Sequence, residues 1–289
     1  MSIAPEISSI VLRDIDLISE MRVVETLQKE IWECDDRDIA PLTIIAATLE
    51  VGGILVGAFA GSTLVGFAYG FIGREDGETV HHSHMLAVKP SYRGFDIGHR
   101  LKLAQRERAL AQGITRMNWT FDPLQSLNAY FNFNKLGVLA DQFKVNFYGE
   151  TTSSSLHRIG TDRLWVSWML DSPRVHERLE TAGRKKDSRY DLESIASLVG
   201  VGANDAPLWN GSPEILSSKR LMLEIPRDIN TLQREDPELG MRWREATRKG
   251  FTEALAAGYL VEEFYRASRN GQPVGMYLLG LGKSVAHFF

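Results

Sequence analysis

The sequence predicts an α/β protein of alternating strands and helices, α+β in its ordering. Three observations predict it. Short β-forming runs and stretches of helical apolar spacing follow one another as β-α-α-β-β-β-α-β-α-β-β over about the first 170 residues. A strand over 82–88 feeds a glycine-bearing turn that opens a helix near His99. The 289 residues are 44% hydrophobic and 24% charged, enough for one large globular domain or two modest ones.

The elements follow in order. Residues 10–12 read as a short first strand. Asp16 opens a helix running toward Trp32, with Leu17, Met21, Val24, Leu27 and Ile31 on one apolar face. Pro41 begins a second helix through PLTIIAATLE. Residues 51–73 carry no charge and are long enough to span a bilayer, but Gly61-Ser62-Thr63 interrupts them. Their flanks are rich in glycine and β-formers, so two buried strands joined by a hairpin fit better than a membrane helix.

Residues 79–88 form the fourth strand. A helix over 98–112 presents a strongly basic outer face of Arg100, Lys102, Arg106 and Arg108 and ends at Gly113, a C-cap. Residues 114–121 read as a strand, 126–136 as a helix closed by Gly137, and 144–148 and 164–170 as strands. Beyond Ser172 the pattern weakens. Residues 174–191, with the charged run 183–187, read as a linker or an exposed helix. LMLEIPRDI, a helix over 232–257, and the strands YLVEEFYRA and GMYLLGL then give β-α-β-β. That order could extend the first sheet or make a small second lobe. The tripeptide Trp243-Arg244-Glu245 fits no motif.

Charge and cysteine content narrow the function classes. A formal charge of −4 gives no polyelectrolyte signature, so no nucleic-acid partner is expected. The single cysteine, Cys34, cannot form an internal disulfide, which points to a reducing, cytoplasmic setting. The N-terminal segment lacks the basic start and apolar core of a signal peptide.

The strand–turn–helix is the chemically informative segment. Free N–H groups and the positive end of the helix dipole converge at such a turn and make an anion site. His82 and His84, two positions apart on the strand, share a face, and His81 faces the other way. A phosphate cradle beside two titratable bases suggests an enzyme that uses a phosphorylated carrier. The run His81-His82-Ser83-His84 also suggests a metal, but two same-face histidines without a third ligand argue against one.

This segment resembles motif A of the GCN5-related N-acetyltransferase (GNAT) superfamily, which binds acyl-coenzyme A. Ala87-Val88 is followed at the family's spacing by Arg93, and Gly98 fills the last glycine position. Asp96 stands where the family usually has its middle glycine. A carboxylate about 4 Å from a pyrophosphate charge would be repelled by about 4 kcal/mol at an effective dielectric near 20, unless its side chain points away. A second fingerprint, Asn128-Ala129 followed by Lys135-Leu136-Gly137-Val138, resembles the family's fourth-helix motif. The resemblance covers roughly residues 8–170. It implies the GNAT fold, a central, mixed, mostly antiparallel twisted sheet flanked by helices, with residues 1–172 as the acyltransferase domain and 173–289 as a C-terminal α/β extension or small second lobe. Blocks such as GHRLKLAQRERALAQG, TDRLWVSWML and LEIPRDI…WREATRKGF further resemble a bacterial acyltransferase subgroup of similar length. Some members of that subgroup are N-succinyltransferases of amino acids.

The resemblance also implies roles. Acyl transfer to an amine needs a base to take the ammonium proton and a donor to polarise the thioester oxygen. His82, six residues before Val88, is the expected base, with His84 beside it. Leu86, Ala87 and Val88 would pair their backbone with the pantetheine arm. Arg93, Gly94, Phe95, Asp96, Ile97, Gly98 and His99 would hold the pyrophosphate, Arg93 more through main chain than side chain. Asn128 would contact the coenzyme or cap its helix, and Phe133 completes the expected coenzyme-binding set. Phe133 stands where the family often has a tyrosine acid; Tyr130, one turn earlier, is the substitute, and water or no acid at all is the alternative. Asp122-Pro123 would shape the acceptor pocket or simply turn the chain.

The expected reaction is transfer of an acetyl or succinyl group from acetyl-CoA or succinyl-CoA to a small amine or amino acid by direct attack in a ternary complex. No metal and no membrane take part, and a homodimer is allowed. For a succinyl group, Arg158 or Arg163 would meet the distal carboxylate. A non-catalytic coenzyme A-binding protein is the main rival, and an assembly protein dimerising through its C-terminal extension is another.

Overall fold

The structure is a computed structural model that describes residues 10–150, 152–154, 157–181, 190–269 and 271–288. The N-terminal segment read for a signal peptide and the charged run 183–187 lie outside the described residues. Two compact units emerge from the packing. The first comprises Met1–Trp119 and Thr152–Arg158, the second Thr120–Thr151 and Ile159–Phe289. The sequence-level segments 1–172 and 173–289 both contribute to the second unit.

In the first unit β1 (Ile10–Asp14), β2 (Ile54–Ala60), β3 (Thr63–Glu75) and β4 (Glu78–Val88) pair antiparallel in that order, and the part of β5 (Arg116–Phe121) up to Trp119 adds parallel to β4. The uncharged stretch is thus the β2–β3 hairpin that the sequence indicates, with Gly61 turning at φ +59°. Asp76-Gly77 turns β3 into β4 at positive φ in both residues, the Asp-Gly turn that matches strand twist. Alternation on β3 assigns the two faces. Phe67 and Tyr69 join a core built from α1 (Ile18–Trp32) and α2 (Leu42–Glu50), including Met21, Val24, Leu27 and Ile45. Gly66 and Gly70 face α3 (Ile97–Ala111), where a Cβ on Gly66 would lie 3.4 Å from Leu101 and one on Gly70 3.0 Å from Gln105. Glycines on that face let α3 approach the sheet closely.

In the second unit the strand order is β7 (Arg163–Met169), β6 (Leu139–Lys144), β11 (Tyr259–Arg269), β12 (Gln272–Leu281), β10 (Arg220–Pro226), β8 (Ser197–Val201) and β9 (Pro207–Trp209). β8 runs parallel to β10, and the other pairings in this unit are antiparallel. The α/β class with a mixed, mostly antiparallel sheet and flanking helices is what the chain forms.

Several elements depart from the sequence expectation. The strand expected over 144–148 lies earlier, at β6. Asn146 takes a positive φ, and the N–H groups of Asn146 and Phe147 donate to Asp162 Oδ1 and Thr161 O, so this stretch is a loop tied to the segment before β7. The helix expected over 126–136 is α-helical only in α4 (Ser126–Tyr130) and widens into a π-turn over Phe131–Leu136 before Gly137. Of the two readings of 174–191, linker or exposed helix, a helix forms, α5 (Pro173–Thr181), but it is not wholly exposed, since Val175 and Arg178 are buried. The helix expected over 232–257 is two, α6 (Ile229–Glu235) and α7 (Pro237–Ala256). Pro237 disfavours helical geometry at Asp236, whose carboxylate instead caps the N–H of Leu239. Strands β8 and β9 are additions that the pattern did not reveal.

Candidate functional site

The turn after β4 is built from one tight turn and two left-handed residues. Tyr92 and Arg93 donate their N–H groups to Lys89 O and Pro90 O. Arg93 Nε donates to Val88 O at 3.2 Å, so both the main chain and the side chain of this residue brace the turn. Main-chain service by Arg93 to a ligand was the expectation, and its N–H is already committed to Pro90. Gly94 has φ +87° with nothing within 4 Å of where a Cβ would sit. Asp96, the N-cap of α3, has φ +58°. This explains a glycine at that position in the family pattern, because aspartate tolerates the left-handed region better than most residues. The Asp96 carboxylate lies 3.1 Å from His99 Nδ1, one turn into the helix. Arg100 N–H to Asp96 O is the helix's entry bond, and the N–H groups of Ile97, Gly98 and His99 lie ahead of it, pointing back along the axis.

Strand β4 brings the histidines and the expected pantetheine edge together. It pairs with β5 at His81↔Met117 and His82↔Asn118, and from Ser83 onward its edge is not paired with β5 among the described residues. Leu86, Ala87 and Val88 hydrogen-bond to β3 on the opposite edge. A β-bulge interrupts that ladder. Tyr69 faces Met85 and Phe71 faces His82, so Ser83 and His84 together oppose Gly70. Alternation keeps His84 on the face of His82, and the bulge brings Met85 onto that face as well. The two histidine ring centroids are 6.0 Å apart, and both pack on Phe71, at 5.3 and 5.7 Å. Tyr69 stands 6.1 Å from the His84 ring.

Burial pushes the His82 pKa below its ordinary value, against a hydrogen bond to Asn118 that raises it. His84 is also lowered, by desolvation and by His82. His81 points to the other face, as expected, and burial pushes its pKa down to about 3. There it meets Gln105, which accepts from Ser83 Oγ at 2.7 Å. Lys102, 2% exposed, donates to the same hydroxyl at 2.7 Å and lies 3.5 Å from the centroid of Trp119. Burial holds its ammonium pKa well below the usual value. Lys102 was expected on a basic outer face; it lies inside.

The remaining expected residues divide between the units. Arg158 is exposed in the first. Asn128, Tyr130, Phe133 and Arg163 belong to the second. Asn128 is exposed near the start of α4. Tyr130 is half-buried beneath the Arg266 guanidinium, 4.6 Å from its ring centroid. Phe133 is 0% exposed, its ring edge-on to Phe121 and Tyr277, so it is core and has no surface to offer a coenzyme. Arg163 is buried, with Nη1 donating to Asp162 O at 2.9 Å and its guanidinium over Tyr148. Asp122 does more than turn the chain. It receives two bonds from Arg244, at 2.9 and 2.7 Å. Burial opposes its charge, yet Arg244 outweighs that and holds the carboxyl below its usual range. Here the unassigned tripeptide finds its place: Arg244 is this partner, and Trp243 donates its indole N–H to Asp205 O.

Sequence reasoning missed Asn118, Glu75 and Arg116. Asn118 Oδ1 lies 2.7 Å from His82 Nδ1, and Asn118 Nδ2 donates to Glu75 Oε2 at 2.9 Å. Arg116 Nη2 lies 2.8 Å from the same oxygen. The only sequence signal was the alternation of Arg116, Asn118 and Thr120 with Met117, Trp119 and Phe121 in that strand, which set a polar face beside the apolar one.

Residues 21–137 match the model of the acetyltransferase (GNAT) family. Among solved structures, the PaiA N-acetyltransferase of Thermoplasma acidophilum, in complex with coenzyme A, is 19% identical over 56% of this chain and 99% of its own, with a TM-score of 0.39. An aminoglycoside 6'-acetyltransferase type Ii is 19% identical over 55% of this chain and 97% of its own, at 0.44. YncA of Salmonella typhimurium, a putative acetyltransferase with acetyl-CoA, is 16% identical over 56% and 95%, at 0.44. No curated protein matches. No helix among the described residues is long and apolar enough to cross a membrane.

Proposed function

We propose that this chain, which carries a GNAT acetyltransferase domain over residues 21–137, transfers an acyl group from acyl-coenzyme A to the amine of a small molecule or amino acid. The observation that carries this reading is His82 on the bulged strand β4, beside a strand edge and a helix N-terminus of the kind an acyl-coenzyme A requires. The residues fit the group. Gly94 leaves open space at the turn, the first N–H groups of α3 suit a diphosphate, and the edge of Leu86–Val88 suits an extended amide-bearing arm. Asp96 is an adverse charge, and its contact with His99 Nδ1 gives it a partner other than the phosphates.

When bound, the coenzyme supplies a thioester whose carbonyl is the electrophile. His82, kept in its neutral form by burial, takes the ammonium proton of the acceptor. The nitrogen then attacks the carbonyl carbon, the carbon–sulfur bond breaks, and the thiolate leaves. Tyr130 is proposed as the acid for that thiolate. The narrower proposal is succinyl transfer to an amino acid, with acetyl transfer as the alternative and Arg158 or Arg163 toward the distal carboxylate. A cytoplasmic location, a homodimer, and residues 1–172 as the domain with 173–289 as its extension belong to the same reading.

A coenzyme A-binding protein without catalysis is the second reading, favoured by Phe133, which is buried and has no proton to give. Free-thiol release from acetyl- and succinyl-CoA, with a panel of D- and L-amino acids and simple amines, separates the two. Thiol release that depends on an acceptor, and falls about 10²- to 10⁴-fold in His82→Ala with coenzyme binding retained, supports the enzyme. Calorimetric binding of coenzyme without any turnover supports the second reading, and absence of both overturns each.

A further inference from the structure

We infer that Asn118 and Glu75 are positioning residues that lock His82 in one tautomer, with the proton on Nδ1 and the basic lone pair on Nε2. The inference rests on the reading of His82 as the base and names what makes that base competent.

Hydrogen-bond chemistry fixes every orientation in the chain. Glu75 as a carboxylate only accepts, and Arg116, 2.8 Å away, only donates to it. The Asn118 atom 2.9 Å from Glu75 is therefore the NH₂ nitrogen. That leaves Asn118 Oδ1, an acceptor, facing His82 Nδ1 at 2.7 Å, so Nδ1 must be the donor. The amide cannot flip without setting its carbonyl against a carboxylate. It is 2% exposed, so water does not readily substitute for either partner.

The strands make the arrangement. His82 and Asn118 face each other across the parallel β4–β5 pair, Arg116 sits two residues earlier on the same face of β5, and Glu75 ends β3 one turn from β4. Asparagine, rather than aspartate, matters. It passes on orientation from Glu75 without placing a second negative charge against the imidazole. His82 thus stays neutral at physiological pH while its ring is held. Titratable groups around it among the described residues include Glu75 from β3, His81 and His84 from β4, Arg116 from β5 behind Glu75, and Lys102 from α3.

The test uses the full chain in two ways. Imidazole ¹⁵N shifts, with the His82 signals assigned by their loss in His82→Gln, report the tautomer without reference to activity. The expected result is a protonated Nδ1 and an unprotonated Nε2, with Asn118→Leu moving the ring toward the Nε2–H form that imidazole prefers in water. In turnover, Asn118→Leu should lower kcat about 10- to 100-fold with KM for acyl-CoA unchanged. Asn118→Asp combined with Glu75→Gln, which again sets a donor against the second oxygen, should keep the tautomer but shift the acid limb of the kcat profile upward by about one pH unit, because a carboxylate favours the imidazolium. A purely structural asparagine would give no such shift. An Nε2–H tautomer in the unaltered protein overturns the inference, as does an Asn118→Leu variant with the original tautomer and kcat. If His82→Ala abolishes turnover while Asn118→Leu does not, the relay falls and the base stands. If no variant or parent turns over acyl-CoA, the base reading falls and the ¹⁵N shifts still decide the relay.

Discussion

Replacing Gly70 with alanine tests the bulge on which the site depends. Gly70 is the residue of β3 that faces both Ser83 and His84. A Cβ there would overlap the His81 ring, lie 2.5 Å from the carbonyl oxygen of His82 and 3.0 Å from Gln105 Nε2. Ordinary contacts are about 3.5–4 Å. The His82 oxygen is main chain and the His81 ring is fully buried, so neither can swing aside. The overpacking cost therefore falls near the top of its usual range, about 3 kcal/mol. Removing a glycine from a strand offsets about 0.5–1 kcal/mol. The net loss is about 2 kcal/mol, a fall in Tm of roughly 4–8 °C. Relief by straightening the bulge would also slide His84–Val88 by one residue along β3 and turn the side chains of Met85–Val88 to the opposite face. Calorimetry and turnover on the same preparation read both effects. Gly73→Ala is the control on the same strand, since its Cβ would meet nothing nearer than Val80 at 3.8 Å. If Gly70→Ala melts with Gly73→Ala and the parent, and turns over at the parent rate, this account of the bulge is wrong.

Three further outcomes are expected. Asp122→Ala strands Arg244, 0% exposed, without its carboxylate and should cost about 3–5 kcal/mol in chemical denaturation; the double variant Asp122→Leu/Arg244→Met should recover most of it, and a double variant as unstable as the single one would contradict the pairing. Lys102 has a folded-state pKa depressed by burial, so the unfolded chain binds the extra proton, and stability should rise with pH up to the ordinary lysine value near 10.5. Lys102→Met should flatten that rise in melts from pH 7 to 10, and an unchanged slope would place the rise elsewhere. Because burial lowers the His82 pKa, the acid limb of kcat should lie below the ordinary histidine value of 6.5, with full rate retained at pH 7; a midpoint above 6.5 in the parent protein would conflict with that environment.

Much of this molecule is written in short-range pattern. The apolar spacing of Met21, Val24 and Leu27, the glycine-broken uncharged stretch, and the strand–turn–helix at Val88–Gly98 each depend on residues within a few positions of one another. Local sequence therefore specified the β2–β3 hairpin, α1, α3 and the two histidines on one face. The Asp76-Gly77 turn was equally local, although the strands it joins were read shorter than they are. Tertiary structure decided the rest, because the interactions involved cross long stretches of chain. His82 meets Asn118 36 residues away, Asn118 meets Glu75 at a separation of 43, and Asp122 meets Arg244 at 122. Periodicity places a side chain on a face but does not choose its partner there. Lys102 shows the same limit: its helix looks basic, and only packing against Trp119 and Ser83 reveals that the amine is inside. The π-turn that follows α4 and the bulge at Ser83–His84 likewise left no mark in the periodicity, which counts positions along one segment and does not register an extra residue in a ladder or a turn.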